Sequence, residues 1–567
     1  VNTEPQVYEQ GGEMAGRYGE AADPAVILRG MSLEEKVGQL LLCGFDGTEP
    51  SADIERLIRE QAIGGVILFA RNVTGTKQAA ALNRSLQAAA ADGGRLPLWI
   101  AVDQEGGMVA RFTDGLALMP GAMAIAAGGD AYSAYEAGYV CGCELGALGV
   151  NMNFAPVLDV NNNPSNPVIG VRSFGEDPER VAEFGVRLVQ GLQDAGMVAT
   201  AKHFPGHGDT DTDSHLDLPV VRHARERIEQ VELVPFRKVI EAGIDSVMSA
   251  HIVFPAYEQE KLPATLSHAV LTGLLREELG FEGVIMTDCM EMNAIADHFG
   301  TAEAAVMAVE AGADLVLISH RHDRQLRAWE LLLQAVREGR ITEERIDESV
   351  LRLLRLKARR GVLMAVETGE ESRVAGEVGS EKHLAAAKRI SEASVTIVKN
   401  ESGLLPLAPG QSMYVLSMEP AVRTLAEEQA PEGIFSLGRA LRELGANETE
   451  WLIPFGRAAE LKEELVRACM YAERVIVATY NAYLEADQVE LVEALQRFGK
   501  DPIVVALRSP YDLLAFPEVA TFVAVYESRP LAMRSAAAAL LGLNPAEGKL
   551  PVSLGERYPA GTGRGLR

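Results

Sequence analysis

The chain has 567 residues, more than one ordinary hydrophobic core accommodates, so two domains are expected. It is 47% hydrophobic and 23% charged, the balance of a water-soluble globular protein, and no apolar run approaches the roughly 20 residues that span a bilayer. A net charge of −27 without any basic stripe or tail argues against nucleic acid as a partner, because phosphate contacts need clustered Lys and Arg.

Ser32-x-x-Glu35 in MSLEEK has the form of a capping box and opens a helix ahead of the first strand candidate. Short apolar, β-rich runs then recur: GQLLLCGF (38–45), GGVILFA (64–70), LPLWIAVD (96–103), VNMNFAPVLDV (150–160), VATAKHF (198–204), DSVMSAHI (245–252), GVIMTD (283–288) and DLVLISH (314–320). Such continuous runs fit strands buried on both faces. Helical stretches separate them, among them TKQAAALNRSLQAAAA, PERVAEFGVRLVQGLQDAG and ERIEQVELVPFRKVIEAG. Strands alternating with helices predict an α/β protein whose first domain, residues 1–364, is a TIM (β/α)8 barrel. An open doubly wound sheet is the alternative, but no G-x-G-x-x-G follows the first strand. The barrel requires functional residues at the carboxyl ends of strands, where Asp103, Lys202, His203, His251 and Asp288 all fall.

Residues 365–382 are rich in glycine and charge and read as a linker. In residues 383–567 the alternation resumes with SVTIVKN (394–400), SMYVLSM (412–418), RVIVATY (474–480), PIVVALR (502–508) and TFVAVYE (521–527), predicting a smaller α/β sandwich. The five cysteines are odd in number and scattered, which fits reduced, core-filling thiols and favours a cytoplasmic location. The first residue is Val1, which leaves a removed leader and an extracytoplasmic location as the alternative. Oligomeric state is not legible.

The densest polar stretch is KHFPGHGDTDTDSH, residues 202–215. Asp209, Asp211 and Asp213 alternate as in a calcium loop, but the sixth and twelfth positions hold Ser214 and Val220 instead of Gly and Glu. Zinc needs three or four converging ligands, and no helical His-x-x-x-His spacing offers them. Neither a metal nor a cofactor is therefore expected. A proton relay asks less: Asp213 two residues before His215 can hold one imidazole nitrogen and raise the basicity of the other. Gly206 and Gly208 would allow sharp turns and a loop able to swing. A solvated turn with Asp residues capping amides is the plainer alternative.

Asp288 ends an apolar run and suits either a covalent nucleophile or a cap on the next helix. With Asp103, Arg111, Arg172, Lys202 and His203, the barrel mouth would offer dense hydrogen bonding to a polyhydroxylated ligand. Phosphate binding or pairing with Asp and Glu are the alternatives for Arg172 and Lys202, so the sequence alone favours a sugar without fixing it.

Five ordered stretches carry a resemblance: IAVDQEGGMVARF (100–112), NPVIGVRSFGEDP (166–178), AKHFPGHGDTDTDSHLDLP (201–219), MSAHIVFP (248–255) and GVIMTDCMEMNAIADHFG (283–300). Together they closely resemble the β-N-acetylglucosaminidases of glycoside hydrolase family 3, and SEASVTIVKNESGLLPL (391–407) is similar to the start of that family's second domain. The resemblance implies Asp288 as nucleophile, His215 with Asp213 as acid/base dyad, and Asp103, Arg111, Arg172, Lys202 and His203 as groups holding the terminal sugar. It implies GlcNAc-containing oligosaccharides, from peptidoglycan or chitin, as substrates. The β-glucosidase branch typically places Trp after the nucleophile and draws its acid/base from the second domain. Here Cys289 and Met290 follow Asp288 and the dyad lies in the first domain. A phosphorylase using the same residues is the other alternative.

Overall fold

A computed structural model of the chain describes residues 23–210, 218–364, 371–408, 410–421 and 434–566. The expected capping box forms: Ser32 Oγ accepts the Glu35 N–H at 3.2 Å while Glu35 accepts the Ser32 N–H at 2.9 Å, opening the helix Leu33–Gln39. Eight parallel strands follow and close into a barrel: β1 Leu41–Cys43, β2 Gly65–Leu68, β3 Trp99–Val102, β4 Met152–Asn153, β5 Val198–Phe204, β6 Ser246–Ser249, β7 Val284–Cys289 and β8 Leu315–Ile318. Each lies inside one of the expected apolar runs, or within a residue of its end, and β1 pairs with β8 to close the ring.

The two-residue period of a strand explains why these runs are apolar throughout. Leu42, Ile67, Trp99, Ala101, Met152, Met286 and Leu317 point inward and fill the barrel. Their neighbours Leu41, Cys43, Val66, Leu68, Ile100, Val102 and Val316 face outward into the helices. Buried Lys357 closes one end of the barrel, donating to Gln39 Oε1, Gly64 O and Pro97 O at 3.0, 3.2 and 2.6 Å. The helix Pro178–Asp194 begins as its sequence dictates, with Asp177 accepting the Glu179 N–H and Pro178 in the first turn, where its missing N–H costs nothing. The stretch read as one helix around residues 226–243 is two, Arg225–Gln230 and Leu233–Glu241.

Part of the expected linker is ordered. Glu371–Glu377 is helical, and Gly379 N–H and His383 Nδ1 both meet Glu144 Oε1 at 2.9 Å. Glu144 is a buried barrel carboxylate, and these contacts meet its need for partners.

The second sheet contains β9 Thr396–Asn400, β10 Ser412–Met418, β11 Asn447–Ile453, β12 Arg474–Thr479, β13 Ile503–Ala506 and β14 Thr521–Ala524, in spatial order β9-β14-β13-β12-β10-β11. All neighbours are parallel except β9 with β14. Met123, Ala124, Ala127 and Val171, which precede β5, are part of this domain's apolar core, so the two domains pack through a shared interior. Among the described residues no helix is long and apolar enough to cross a membrane.

Candidate active site

The carboxyl ends of the barrel strands surround a cavity of about 390 Å³. One wall is a small hairpin, Gln104–Gly106 with Val109–Ala110, that follows β3 directly. Gln104 is its template: Oε1 accepts the N–H groups of Arg111 and Phe112 at 2.8 and 3.1 Å, and Nε2 donates to Phe112 O at 2.8 Å. Asn153 on β4 then ties the Gln104 backbone down, accepting its N–H at 3.0 Å and donating to its carbonyl at 2.9 Å.

This scaffold presents an alternating row of charges. Arg111 Nη2 lies 3.6 Å from Asp103 Oδ2, and Asp103 Oδ1 lies 2.7 Å from Lys202 Nζ. Lys202 Nζ also meets Glu105 Oε1 at 2.7 Å, and Glu105 takes Arg172 in two-pronged fashion at 2.7 and 2.8 Å. Burial alone would raise the Glu105 carboxyl, but Arg172 and Lys202 outweigh it and hold the group well below the usual carboxylate range. Each cation of the row is thus matched to a carboxylate, leaving fixed donors and acceptors in place of a bare positive patch.

A second buried carboxylate orients the histidines. Asp159 accepts the backbone N–H of His203 at 3.2 Å and of His207 at 2.6 Å, and its Oδ2 lies 2.8 Å from His203 Nδ1. This contact orients the His203 ring and favours a proton on Nδ1, which turns Nε2 toward the role of acceptor. Burial would raise Asp159, yet the two histidines hold it below its ordinary value. His207, itself buried, is pushed down to about 4 and is neutral near pH 7.

Asp288 lies at the end of β7 and lines the same cavity. Its Oδ1 accepts the Cys289 N–H at 2.7 Å. The next helix, Asn293–Ala296, has Met292 at its cap position, so Asp288 does not cap it. Close by, Glu291 accepts the N–H groups of His320 and Arg321 at 2.6 and 3.1 Å and fixes the turn after β8.

Residues 32–356 match the family model described as Glycosyl hydrolase family 3 N terminal domain. The chain belongs to glycosyl hydrolase family 3. It is a glycoside hydrolase. A solved family 3 β-N-acetylglucosaminidase from Paenibacillus sp. str. FPU-7 is 48% identical, superposes with a TM-score of 0.88, and is covered over 99% of its length by 92% of this chain. Beta-hexosaminidase A of Pseudoalteromonas piscicida is 32% identical over 92% of this chain and 97% of its own. The beta-N-acetylglucosaminidase/beta-glucosidase of Cellulomonas fimi is 30% identical over 92% and 94%.

In this family 3 chain the cavity gathers Asp103, Arg111, Arg172, Lys202, His203 and Asp288. Asp213 and His215 lie outside the described residues. Of the readings left open for Arg172 and Lys202, the carboxylate pairing is the one found. His251, expected at the barrel mouth, is instead buried structure, with Nδ1 2.8 Å from Thr265 Oγ1 and Nε2 3.0 Å from Cys289 O. The expectation that Gly206 and Gly208 form a swinging hinge is corrected. Both are buried, a Cβ on Gly208 would sit 1.8 Å from Val160 O, and Asn166 Nδ2 grips the carbonyls of His207 and Gly208 at 2.8 and 3.0 Å. Gly208 provides close backbone approach, and Gly206 provides a turn with φ +145° packed against the Glu232 side chain. Asp209 pairs with His223.

Sequence reasoning missed Glu105 and Asp159. Both carried a usable signal, an acid at or just past the end of an apolar run, the same signal that singled out Asp103 and Asp288. Cys289, Glu291 and His320 bring potential ligand atoms within 4.8 Å of one another. Glu291 is already engaged by two backbone amides, and burial pushes the metal-free Cys289 thiol up to about 12.

Proposed function

We propose that this family 3 enzyme is an exo-acting, retaining β-N-acetylglucosaminidase that removes non-reducing terminal GlcNAc from peptidoglycan fragments or chitooligosaccharides. The observation that carries the reading is the meeting of Asp288 with the paired charges of Asp103, Arg111, Arg172 and Lys202 in one cavity of about 390 Å³. That volume lies at the small end of ligand pockets and suits one sugar unit better than a long chain. The names borne by the three relatives support an N-acetylhexosamine in that place.

In this reading the neutralised wall and His203 bind the hydroxyls and fix the ring. Asp288 attacks the anomeric carbon while protonated His215 gives its proton to the departing oxygen, leaving a glycosyl-enzyme ester. Water then attacks the same carbon, His215 takes its proton, and Asp288 is released. The role proposed for Asp213 is to hold the other imidazole nitrogen. The five free thiols support a cytoplasmic site of action.

Deprotonated His215 is neutral where most retaining enzymes have a carboxylate, so an anionic acceptor is repelled less. Phosphorolysis is therefore the second reading. Product analysis on GlcNAc–MurNAc and chitobiose, with and without inorganic phosphate, tests both. Free GlcNAc in either buffer is expected, and GlcNAc-1-phosphate as the main product would replace hydrolysis by phosphorolysis. Faster cleavage of aryl β-glucoside than of aryl β-GlcNAc would overturn the sugar assignment.

A further inference from the structure

The hairpin wall is gripped from the second domain. Just after β14, Arg529 donates from Nε to Gly107 O at 3.1 Å and from Nη2 to Met108 O at 3.2 Å, both at the hairpin's turn. Glu527 Oε2 accepts the Gly121 N–H at 3.1 Å, and Gly107 N–H donates to Met119 O at 2.9 Å. Gly107 has φ +55°, and a Cβ there would stand 2.5 Å from Glu527 Oε2 and 2.7 Å from Gly121. The Glu-Gly-Gly of the hairpin is thus shaped to receive a carboxylate from the other domain. Glu527 and Arg529 are 3% and 8% exposed, so two buried ionisable side chains are spent on this contact. Buried polar groups need partners, and here hydrogen-bond partners are supplied by the barrel mouth.

The opposite side of the wall is braced likewise. Glu176, four residues beyond Arg172, accepts Ser553 N–H at 2.8 Å and Ser553 Oγ–H at 2.5 Å. Asn161 Nδ2 donates to Tyr511 OH at 3.1 Å. Glu105 and Arg172, the two members of the buried ion pair, therefore stand on segments that the second domain touches separately.

We infer that Glu527 and Arg529 are positioning residues through which the second domain sets the geometry of the sugar-binding wall, acting on substrate by way of Glu105 and Arg111. Neither Glu527 nor Arg529 is among the residues that line the cavity. The inference rests on the proposed function, because it takes the wall to be where the terminal sugar binds.

Misplacing a wall that holds substrate and transition state alike weakens binding without slowing the committed complex, which is a rise in KM with kcat preserved. In the full-length protein, Arg529→Ala is expected to raise KM for aryl β-GlcNAc about tenfold, with kcat within about threefold of wild type. Arg529→Lys, which keeps a buried cation within reach of the same carbonyls, is expected to recover most of that loss. Glu527→Ala is expected to shift KM in the same direction, and the double variant to fall short of the product of the two single effects, because both act on one hairpin. Turnover in the wild type with unchanged KM in Arg529→Ala overturns this inference alone, as does equal loss in the Ala and Lys variants. A wild type that leaves aryl β-GlcNAc intact overturns the function reading and this inference together.

Discussion

Glu105 and Arg172 form a two-pronged ion pair in which both side chains are buried, with Nε 2.8 Å from one carboxylate oxygen and Nη2 2.7 Å from the other. Lys202 shares the second oxygen at 2.7 Å. Glu105→Gln keeps the shape but leaves Arg172 without its counter-charge, a change that costs about 3 kcal/mol in comparable buried pairs. The pH dependence follows from the direction of the shift. Arg172 and Lys202 depress the Glu105 carboxyl against the opposing effect of burial, so its contribution is complete above the unfolded value near 4.5 and is lost as pH falls through the lower folded value. Unfolding measured at pH 7 and pH 3.5 is therefore expected to show a wide gap between wild type and Glu105→Gln at pH 7 that narrows at pH 3.5. A constant gap would mean that Glu105 is not held by its cationic neighbours.

Asp288→Asn tests the covalent step. The amide occupies the same space and still accepts the Cys289 N–H, so the fold and Tm are expected to be retained. Turnover is expected to drop by something on the order of 10⁵-fold on aryl and natural substrates alike, since no nucleophile remains. A 2-fluoro sugar bearing a good leaving group should trap a glycosyl ester on Asp288, read by peptide mass spectrometry. A label on another side chain would dismiss Asp288 as nucleophile.

Much of the fold and part of the site could be read from residues alone, and the division has physical causes. Barrel strands are buried on both faces, so runs such as GVIMTD stand out without any alternation to decode. Strand β11, Asn447–Ile453, does not stand out: NETEWLI lies at the edge of its sheet with exposed and half-buried positions alternating, and reads as a polar segment. The place of Asp103, Lys202 and Asp288 at the cavity was legible because barrel topology gathers strand ends at its mouth. Glu105 and Asp159 carried the same strand-end signal and were passed over; what the sequence did not show is their partners, 67 and 44 residues away in the chain. The hold of Arg529 on Gly107 spans 422 residues and leaves no local trace in the sequence.

His215→Ala separates acid catalysis from nucleophilic attack. An aryl leaving group departs without much protonation, whereas a sugar leaving group needs it. The glycosylation rate on chitobiose is expected to fall about 10²- to 10⁴-fold, and on an aryl glycoside far less. Pre-steady-state measurement of the first step on both substrates checks this. Equal losses would remove His215 from the acid role and return the Asp213–His215 pair to the reading of a solvated turn.

Glu527 offers a last test, this time of the domain contact as a titrating element. Burial pushes its carboxyl up to about 7, with the Gly121 N–H and Arg529 opposing. Because the folded value exceeds the unfolded one, the folded state keeps a proton that the unfolded chain releases between about pH 4.5 and 7. Stability at this site is therefore greatest below pH 4.5, declines as pH rises to about 7, and is level above, a span of about 3 kcal/mol. Glu527→Gln retains an oxygen for the Gly121 N–H and cannot ionise, so it escapes the decline. Below pH 4.5 the two proteins are expected to share nearly the same Tm, and above pH 7 the variant is expected to melt higher. The difference between them isolates Glu527, since every other titrating group is common to both. A Tm difference that does not change between pH 4.5 and 8 would show that the carboxylate clasped by Gly107 and Gly121 titrates as it does in the unfolded chain.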